Sequence, residues 1–196
     1  MRTTIPGLVL AAGASRRMGR PKALLPVGAS GLTFVRVICD TLDAAGVSPI
    51  VVVTRVELLD SLAAVVPGAE LVANDDPDRG QLSSLLAGLA SLGAPQAALV
   101  TLVDLPLVHA STVASLLAAW HRTHAPLVRP SYQARHGHPV IFGAPLLEAL
   151  RRADLHAGAK PVVHRFLADA VSVAVDDSAT VDDIDTPETY ERLKRL

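Results

Sequence analysis

The sequence predicts a doubly wound α/β fold in which a mostly parallel, mixed sheet lies between two layers of helices. Short apolar runs typical of strands alternate with amphipathic helical patterns along most of the chain, as in a series of βαβ units. Half of the 196 residues are hydrophobic and only 19% are charged, so the chain can build an extensive core. Because no internal repeat or linker interrupts the pattern, we expect a single domain over residues 1–196.

The regular alternation begins at the N-terminus and continues to about Trp120. An apolar run from Ile5 to Ala12, which Gly13 ends, predicts a buried first strand. Apolar residues at helical spacing then alternate with further strand-like runs. The predicted strands cover residues 50–54, 69–73 and 97–103, and the predicted helices cover residues 32–46, 58–66, 82–89 and 113–120. We expect the last of these helices to be capped near Ser111 or Thr112 and to place Trp120 in the core.

After Pro126 the pattern changes to short extended runs. These runs, at residues 127–129, 139–142 and 171–175, predict a mixed edge of the sheet. Thr186 followed by Pro187 is a good helix start, and it predicts a final helix that runs to Leu193.

Composition and charge argue against several classes of protein. The formal net charge is −1, which is unfavourable for a general nucleic-acid or membrane surface. Cys39 is the sole cysteine, so no disulfide can form within the chain, and its place in a helical pattern predicts a buried thiol. The sequence shows no membrane-spanning run and no signal-peptide pattern. We therefore expect a cytoplasmic protein without nucleic-acid or membrane partners.

The loop after the first strand is the most unusual stretch of the sequence. Because like charges repel, a cluster of cations on one loop suggests that an anion binds among them. Gly13 and Gly19 allow a turn that exposes backbone N–H groups, as phosphate-binding loops do. The loop also follows the carboxyl end of a strand, where open α/β sheets bind ligands. A solvated surface loop is the simpler alternative. The cations fall within seven positions and are Arg16, Arg17, Arg20 and Lys22.

Two familiar phosphate motifs do not fit this loop. A Walker A loop has four residues between its glycines and then Lys-Ser/Thr, whereas here five residues separate Gly13 from Gly19 and Arg20 follows. A dinucleotide fingerprint needs Gly-x-Gly-x-x-Gly at the start of a helix, which residues 12–15 do not supply. Pro21 and Pro26 also oppose a regular helix at this point. The sequence therefore predicts a phosphate loop of another kind.

Carboxylates follow in two places where a strand or loop ends. Asp104 comes directly after the apolar run 97–103 and precedes a proline, a position that suits a metal ligand or, alternatively, a local turn cap. Three aspartates, Asp182, Asp183 and Asp185, precede the final helix, and their crowded negative charge favours a divalent cation.

Two further polar stretches are candidates for substrate contacts. The loop and helix start after the third strand would form a hydrogen-bonding wall for a base or ribose, or would simply cap the helix; its polar residues are Asn74, Gly80, Gln81, Ser83 and Ser84. His138 lies between Gly137 and Pro139 on a restricted backbone, so it either faces a substrate or forms a turn. The other histidines considered have no metal-ligand spacing and are expected at the surface; they are His121, His124, His136, His156 and His164.

Together these residues indicate metal-assisted phosphoryl or nucleotidyl transfer. Such chemistry needs positioning and neutralisation of phosphate charge more than covalent help from the protein. Mg²⁺ typically binds through one or two carboxylates plus substrate phosphates, so Asp104 with Asp185 would suffice. No nucleophile-elbow, zinc-helix or cysteine-nucleophile motif competes with this interpretation.

At this point the sequence resembles the MobA-like nucleotidyltransferase family. Residues 10–26 read LAAGASRRMGRPKALLP, which is similar to the family signature Leu-Ala-Ala/Gly-Gly-x-Ser/Ala-x-Arg-Met-Gly-x-x-Lys. The resemblance continues in order through Gly80-Gln81-Leu82-Ser83-Ser84, Asp104-Leu105-Pro106, Gly137-His138-Pro139 and residues 183–188. Within the family the set is most similar to molybdenum cofactor cytidylyltransferases, because Ala12 stands where guanylyl-transferring members usually carry Gly.

The resemblance implies a Rossmann-like nucleotidyltransferase fold and transfer of CMP from CTP to a phosphorylated pterin-type acceptor, with Mg²⁺ as cofactor. A molybdoenzyme is a candidate recipient of the product. The implied catalytic residues are Arg17, Lys22 and Asp104, and the implied metal ligands are Asp104 and Asp185, with Asp183 as the rival of Asp185. The implied nucleotide-binding residues are Leu10, Ala11, Ala12, Gly13, Arg16, Arg17, Lys22, Gly80, Gln81, Ser83 and Asp104, and the implied acceptor-binding residues are Gly137, His138 and Pro139.

The chain departs from the family pattern beside the metal aspartate. Members often carry Gly before it and Gln after it, whereas Val103 and Leu105 stand here, so the acceptor is the least determined part of the prediction. Two alternatives follow: a nucleotidyltransferase that uses GTP or another nucleotide with a different phosphorylated acceptor, and a non-catalytic cofactor-binding chaperone of a molybdoenzyme.

Overall fold

The structure is a computed structural model that describes residues 4–193. Its strands are β1 (Gly7–Leu10), β2 (Ile50–Thr54), β3 (Glu70–Ala73), β4 (Ala97–Leu102), β5 (Leu127–Tyr132), β6 (Arg135–His136), β7 (Val140–Gly143) and β8 (Ala170–Ala174). Its α-helices are α1 (Phe34–Ala44), α2 (Leu59–Val65), α3 (Gln81–Ser91), α4 (Ala110–Thr123), α5 (Ala144–Arg151), α6 (Lys160–His164) and α7 (Pro187–Leu193). None of the helices within 4–193 is long and apolar enough to cross a bilayer.

The strands of the described chain form one mixed sheet in the order β3-β2-β1-β4-β7-β5-β6, and β8 pairs with β5. The strands β3, β2, β1 and β4 are parallel neighbours. β7 then runs antiparallel to both β4 and β5, and β8 lies parallel to β5. The predicted mostly parallel sheet with a mixed edge after Pro126 is therefore confirmed.

Helices cover both faces of the sheet because the central strands are apolar on both sides. Successive residues of a strand point to opposite faces, so Val9 packs in a core with residues of α1 and α4 such as Ile38 and Leu116. Leu8, its neighbour, packs in a second core with residues of α3 and α5 such as Leu89. The three-layer, doubly wound arrangement follows directly from this continuous apolar pattern.

Two side chains that the sequence places in the core are buried in the structure. Trp120 is 2% exposed and Cys39 is 7% exposed. Burial raises the pKa of the Cys39 thiol to about 12, so the thiol stays protonated and unreactive. Both predictions are confirmed.

The cap predicted for α4 is wrong. The helix begins at Ala110 and its N-cap position is His109, which makes no side-chain cap. Asp177 replaces the cap: its buried carboxylate accepts hydrogen bonds from the His109 N–H (2.9 Å) and the Thr112 hydroxyl (2.7 Å). The start of α4 is therefore satisfied by a residue more than 60 positions away, which local spacing does not reveal.

Element bounds differ elsewhere by a few residues, and some elements have no sequence prediction. β1 covers Gly7–Leu10 instead of residues 5–12, and α7 begins at Pro187 as expected. Helices α5 and α6 and strand β6 were not predicted. For α5 the signal was present, since Leu146, Leu147 and Leu150 have helical spacing and are all buried.

Candidate active site

A cleft of about 340 Å³ opens at the carboxyl ends of β1 and β4. Ligands bind at this edge in open α/β sheets, because the loops that leave the parallel strands meet there. The cleft has two walls, which we name the first wall (residues 12–22, after β1) and the second wall (residues 74–84, after β3), and Asp104 and Asp185 lie beside them. The lining residues are Leu10, Ala12, Gly13, Ser15, Arg16, Arg17, Lys22, Pro77, Gly80, Gln81, Ser84, Leu102, Val103, Asp104 and Asp185.

Ser15 shapes the first wall. It has a left-handed backbone with φ of 48°, its carbonyl accepts a hydrogen bond from the Met18 N–H (2.9 Å), and its hydroxyl accepts one from the Lys22 N–H (3.1 Å). These bonds fold the loop back on itself and place the side chains of Arg16, Arg17 and Lys22 along the cleft. The sequence predicts these three residues correctly as neighbours on one loop.

Arg20, the fourth cation of the loop, does not line the cleft. Its guanidinium lies over the ring of Tyr190 in α7, 5.6 Å from the ring centroid, a distance at which a cation–π contact is favourable. Three of the four cations of the loop therefore line the cleft, whereas Arg20 packs against α7.

Asn74 organises the second wall. Its side chain is buried, and its amide nitrogen lies 2.9 Å from the hydroxyl oxygens of both Ser83 and Ser84. Its carbonyl oxygen accepts a hydrogen bond from the Asp76 N–H (3.0 Å). Gly80 has φ of 94°, a conformation that favours glycine, and it turns the chain into α3 so that Gly80 and Gln81 line the cleft.

Ser83 and Ala11 are predicted nucleotide-binding residues that do not line the cleft. The Ser83 hydroxyl makes local hydrogen bonds to the carbonyls of Gly80 (2.7 Å) and Asp76 (3.1 Å), but α3 has no side-chain cap, so Ser83 neither lines the cleft nor caps the helix. Ser84, one residue later, lines the cleft instead. Ala11 is buried and donates its N–H to the Val53 carbonyl (2.7 Å), so it continues the pairing of β1 with β2.

Arg55 is a residue that the sequence interpretation missed. Its Nε donates to the carbonyl oxygen of Ala12 (3.0 Å), and a terminal nitrogen of its guanidinium donates to the Asp78 carboxylate (2.9 Å). Arg55 follows directly after β2, where its position at a strand end was a signal. Its two acceptors lie 43 and 23 positions away, and only the folded chain reveals them.

The charged centre of the cleft joins three distant segments. Lys22 Nζ lies 3.3 Å from Asp104 Oδ2 and also contacts Asp185 Oδ1 at close range. Arg17 pairs with the other oxygen of Asp185 at 2.6 Å. The carbonyl of Asp104 accepts a hydrogen bond from the Ile184 N–H (2.9 Å), which holds the segment before α7 against the end of β4.

The two carboxylates have opposite pKa shifts. Burial raises the pKa of Asp104 above its ordinary value, an effect that the charge of Lys22 opposes and that of Asp185 reinforces. Burial also acts to raise the pKa of Asp185, but its hydrogen bond to Lys22 and the charges of Lys22 and Arg17 outweigh burial and lower it. Asp104 is therefore the carboxylate whose charge is less well compensated by the protein.

One carboxylate oxygen of Asp104 lacks a hydrogen-bond partner within residues 4–193. Asp104 Oδ1 is buried and makes no hydrogen bond within the described chain, which is costly for a carboxylate oxygen. A hard divalent cation would provide the missing partner. Within residues 4–193, no group of three or more His, Cys, Asp or Glu side chains could hold a metal alone. The two carboxylates of the cleft, Asp104 and Asp185, match the donor set of an ion that takes its other ligands from phosphates and water.

Asp183 does not line the cleft, and its side chain is exposed. Its negative charge nevertheless acts on both Asp104 and His138. The geometry thus brings Asp185, rather than Asp183, into contact with the residues of the first wall.

The predicted acceptor segment lies outside the cleft lining. Gly137 packs so closely that a Cβ atom there would overlap the carbonyl oxygen of Thr180, and the His138 N–H donates to the same carbonyl (2.9 Å). His138 Nδ1 lies 3.5 Å from the Val100 carbonyl. Burial lowers the pKa of His138, and the contact with Val100 and the charge of Asp183 partly offset this effect.

The five histidines that the sequence assigns to the surface are mostly exposed. His121 is partly buried, with its ring 5.3 Å from that of Trp120, and the other four are exposed.

Comparison with known proteins identifies related sequences and folds. A model of the MobA-like NTP transferase domain matches residues 7–172. Similar curated proteins include a nicotine blue oxidoreductase of Paenarthrobacter nicotinovorans (34% identical, 96% of each chain) and a probable molybdenum cofactor guanylyltransferase of Natronomonas pharaonis (27%, 96% of each). A 2-C-methyl-D-erythritol 4-phosphate cytidylyltransferase of Nocardia farcinica is 30% identical over 94% of this chain and 83% of its own length.

Solved structures share the fold over the whole chain. A crystal structure of Rv0371c from Mycobacterium tuberculosis H37Rv is 27% identical, covers 100% of both chains and has a TM-score of 0.84. A second structure of that protein, in complex with manganese, is 26% identical, covers 97% of this chain and 98% of its own, and has a TM-score of 0.79.

Proposed function

The chain belongs to the MobA-like NTP transferase family, and we propose that it transfers CMP from CTP to molybdopterin or a similar phosphorylated pterin and releases pyrophosphate, with Mg²⁺ as cofactor. The observation that carries this proposal is the meeting of three cations and two carboxylates in one cleft. Arg16, Arg17 and Lys22 come from the first wall, and Asp104 and Asp185 come from two other segments. This combination suits a triphosphate that binds together with a divalent metal.

Asp104 and Asp185 would hold the metal. Oδ1 of Asp104, which has no hydrogen-bond partner within residues 4–193, supports a divalent cation at this place. The structure of the Mycobacterium tuberculosis relative in complex with manganese supports a divalent metal as cofactor. When bound, Mg²⁺ supplies neutralisation of the negative charge on the phosphate oxygens. Lys22 pairs with one oxygen of each carboxylate, so it would hold a bound phosphate beside the two residues that would hold the metal.

The proposed reaction is an in-line displacement at the α-phosphorus of the nucleotide. An oxygen of the acceptor phosphate forms the new P–O bond, the bond from the α-phosphorus to the bridging oxygen breaks, and pyrophosphate leaves with the negative charge. A phosphate acceptor is already anionic at neutral pH, so no general base is required. Arg16, Arg17 and Lys22 would orient the polyphosphate and stabilise the charge on the leaving group.

The acceptor is proposed to lie on the side of Gly137-His138-Pro139. The stretch from Thr180 to Ile184 supports this placement, because Thr180 accepts a hydrogen bond from the His138 N–H and Ile184 donates one to the Asp104 carbonyl. Gly137 and His138 are tightly packed, so the segment would shape the acceptor site more than it would take part in chemistry. A molybdoenzyme remains the proposed recipient of the product.

Ala12 supports cytosine as the base. It lines the cleft and is 2% exposed, so its methyl group takes up room that glycine would leave open. Relatives named guanylyltransferase and cytidylyltransferase both occur at similar identity. The preference for CTP therefore depends on this one methyl group.

Activity on nicotine blue is a second candidate, because the relative of that name is 34% identical over nearly the whole chain. A non-catalytic chaperone for a molybdoenzyme is a third. Neither would require two carboxylates paired with Lys22 in a cleft that also holds Arg16 and Arg17, which favours nucleotidyl transfer. If the protein is a chaperone, the Asp104→Ala variant should still bind the cofactor, and neither the variant nor the wild type should turn over any acceptor.

The test measures pyrophosphate release with Mg²⁺, molybdopterin and either CTP or GTP. We expect CTP to be favoured, and we expect Ala12→Gly to reduce the CTP-to-GTP ratio of kcat/KM about tenfold, since one methyl group in a pocket is worth about 10- to 200-fold. Ala14→Gly, at an exposed alanine outside the cleft lining, is the matched control. Release with GTP alone would refute the base assignment, and turnover of nicotine blue without pyrophosphate release would refute the transferase.

A further inference from the structure

We propose that Arg55 is a positioning residue that ties the two walls of the cleft together and thereby sets the affinity for the nucleotide. This inference rests on the proposed function, since it assigns the nucleotide to the same cleft. Arg55 does not line the cleft. It acts from behind the walls through Ala12 and Asp78.

The two bonds of Arg55 end on different walls. Its Nε donates to the Ala12 carbonyl in the first wall at 3.0 Å, and a terminal nitrogen donates to Asp78 in the second wall at 2.9 Å. Asp78 lies in a short 3₁₀ turn, Pro77–Arg79, immediately before Gly80 and Gln81. Pro77, Gly80 and Gln81 all line the cleft, so a movement of Asp78 moves the second wall with it.

Each wall is already braced internally. Ser15 folds the first wall through its bonds to Met18 and Lys22. Asn74 holds the second wall through Asp76 and Ser83. These bonds fix the shape of each wall but do not reach across the cleft. Arg55 bonds to both walls. Because it directly follows β2, it holds both walls in a fixed position relative to the end of that strand.

The shape of the guanidinium explains why arginine suits this position. Its donors form a planar, fixed fork that can serve two acceptors at once, whereas a lysine ammonium is a single point charge. The ion pair contributes little as a charge interaction, because the Asp78 side chain is 69% exposed. The contribution of Arg55 is therefore geometric: it holds the Ala12 carbonyl and the second wall at a constant separation.

The first measurement needs no nucleotide. Amide hydrogen exchange of the free protein is compared for the wild type, Arg55→Met, Arg55→Lys and Asp78→Asn. We expect Arg55→Met to speed exchange in residues 12–16 and 76–81 without changing exchange in α4 and α5. Arg36→Met is the matched control, because Arg36 also pairs with an aspartate, Asp40, but on the exposed face of α1 outside the cleft.

The second measurement is binding and kinetics with CTP and Mg²⁺. We expect Arg55→Met to raise both Kd and KM about tenfold while kcat stays within about twofold, since only positioning is lost. Arg55→Lys should resemble Arg55→Met, because the charge alone is not sufficient. Asp78→Asn, which keeps an acceptor oxygen, should leave KM within about twofold of the wild type. Asp78→Ala, which removes the acceptor, should raise KM about threefold, and combining it with Arg55→Met should add nothing further, because Asp78 acts through Arg55.

The outcomes separate this inference from the proposed function. Wild-type protein that binds CTP, with Arg55→Met unchanged in both exchange and Kd, would overturn the role of Arg55 alone. A full rescue by Arg55→Lys would also overturn it, because charge would then be sufficient. Faster exchange in both walls of Arg55→Met, together with wild-type protein that binds no nucleoside triphosphate, would support the tie between the walls and refute the proposed function.

Discussion

Polar residues are bonded differently in the two halves of the sheet. We call β3, β2, β1 and β4 the parallel half, and the strands from β7 onward, which begin with an antiparallel pair, the antiparallel half. At the ends of β1 and β4, charged side chains contact one another across the cleft, and one oxygen of Asp104 has no hydrogen-bond partner among residues 4–193. Beside β7, Gly137 and His138 pack directly against the backbone of Thr180. A buried polar atom without a hydrogen bond lowers the stability of the folded protein, and such an atom is expected where a ligand supplies the missing bond. The close packing of Gly137 and His138, by contrast, indicates that they stabilise the fold.

The segment from Asp177 to Asp185 connects these two halves. Asp177 caps α4, Thr180 receives the Gly137 segment, and Ile184 binds the backbone of Asp104. Asp185 at its end then enters the cleft. A single stretch of chain thus positions one proposed metal ligand relative to both the nucleotide side and the proposed acceptor side.

The largest effect expected from this comparison is on the parallel half. Asp104→Asn should lower turnover about 1,000-fold or more, because a metal site supplies several kcal/mol of charge stabilisation and roughly 1.4 kcal/mol corresponds to a factor of ten. The metal-free variant should remain as stable as the wild type, since burial already disfavours the charge of Asp104. Pyrophosphate release and thermal unfolding measure the two quantities.

The second carboxylate can be assigned in the same experiment. Asp185→Asn should lower turnover far more than Asp183→Asn, because Asp185 contacts Lys22 and lines the cleft whereas Asp183 is exposed. The reverse order would exchange the two residues as metal ligands. Equal and small losses would contradict the proposed metal site.

The next largest effect is a loss of stability, and it is expected for a substitution in the antiparallel half of the sheet. Gly137→Ala should lower the free energy of unfolding by about 2 kcal/mol or more, because the new methyl group would overlap the backbone of Thr180. Denaturant unfolding measures the change. Gly68→Ala is the control, since nothing lies within 4 Å of a Cβ atom there, and it should change stability by less than about 0.5 kcal/mol. A stable Gly137→Ala protein would contradict the packing role.

The smallest effect is the pH dependence contributed by His138. Burial holds the pKa of His138 below its ordinary value of 6.5. As the pH falls through 6.5, the unfolded chain takes up a proton that the folded chain does not, so the free energy of unfolding decreases. His138→Gln should show a shallower decrease in this window. Urea unfolding of metal-free protein at several pH values tests this, with exposed His156→Gln as the control; parallel curves for wild type and His138→Gln would refute it.

The fold and the first wall were largely readable from the sequence. Continuous apolar runs such as residues 97–103 predict strands buried on both faces. The four cations between Arg16 and Lys22 predict an anion site after the first strand, and three of them, all but Arg20, line the cleft. The position of Asp104 at a strand end predicts a site residue, and Asp104 lines the cleft. Ser83 shows the limit of such reading, because a polar residue at a helix start can bond to nearby backbone carbonyls instead of capping the helix or contacting a ligand.

What the sequence determined by itself was therefore whatever depends on neighbours along the chain: the alternation of strands and helices, the loop of cations and the carboxylate after β4. Only the tertiary structure decided that Lys22 meets Asp185, 163 positions away, that Arg20 turns to Tyr190, that Asp177 caps α4 and that Arg55 joins Ala12 to Asp78. The physical reason is that periodicity and capping are local preferences, whereas these contacts arise where the crossovers of the sheet bring distant segments to one edge.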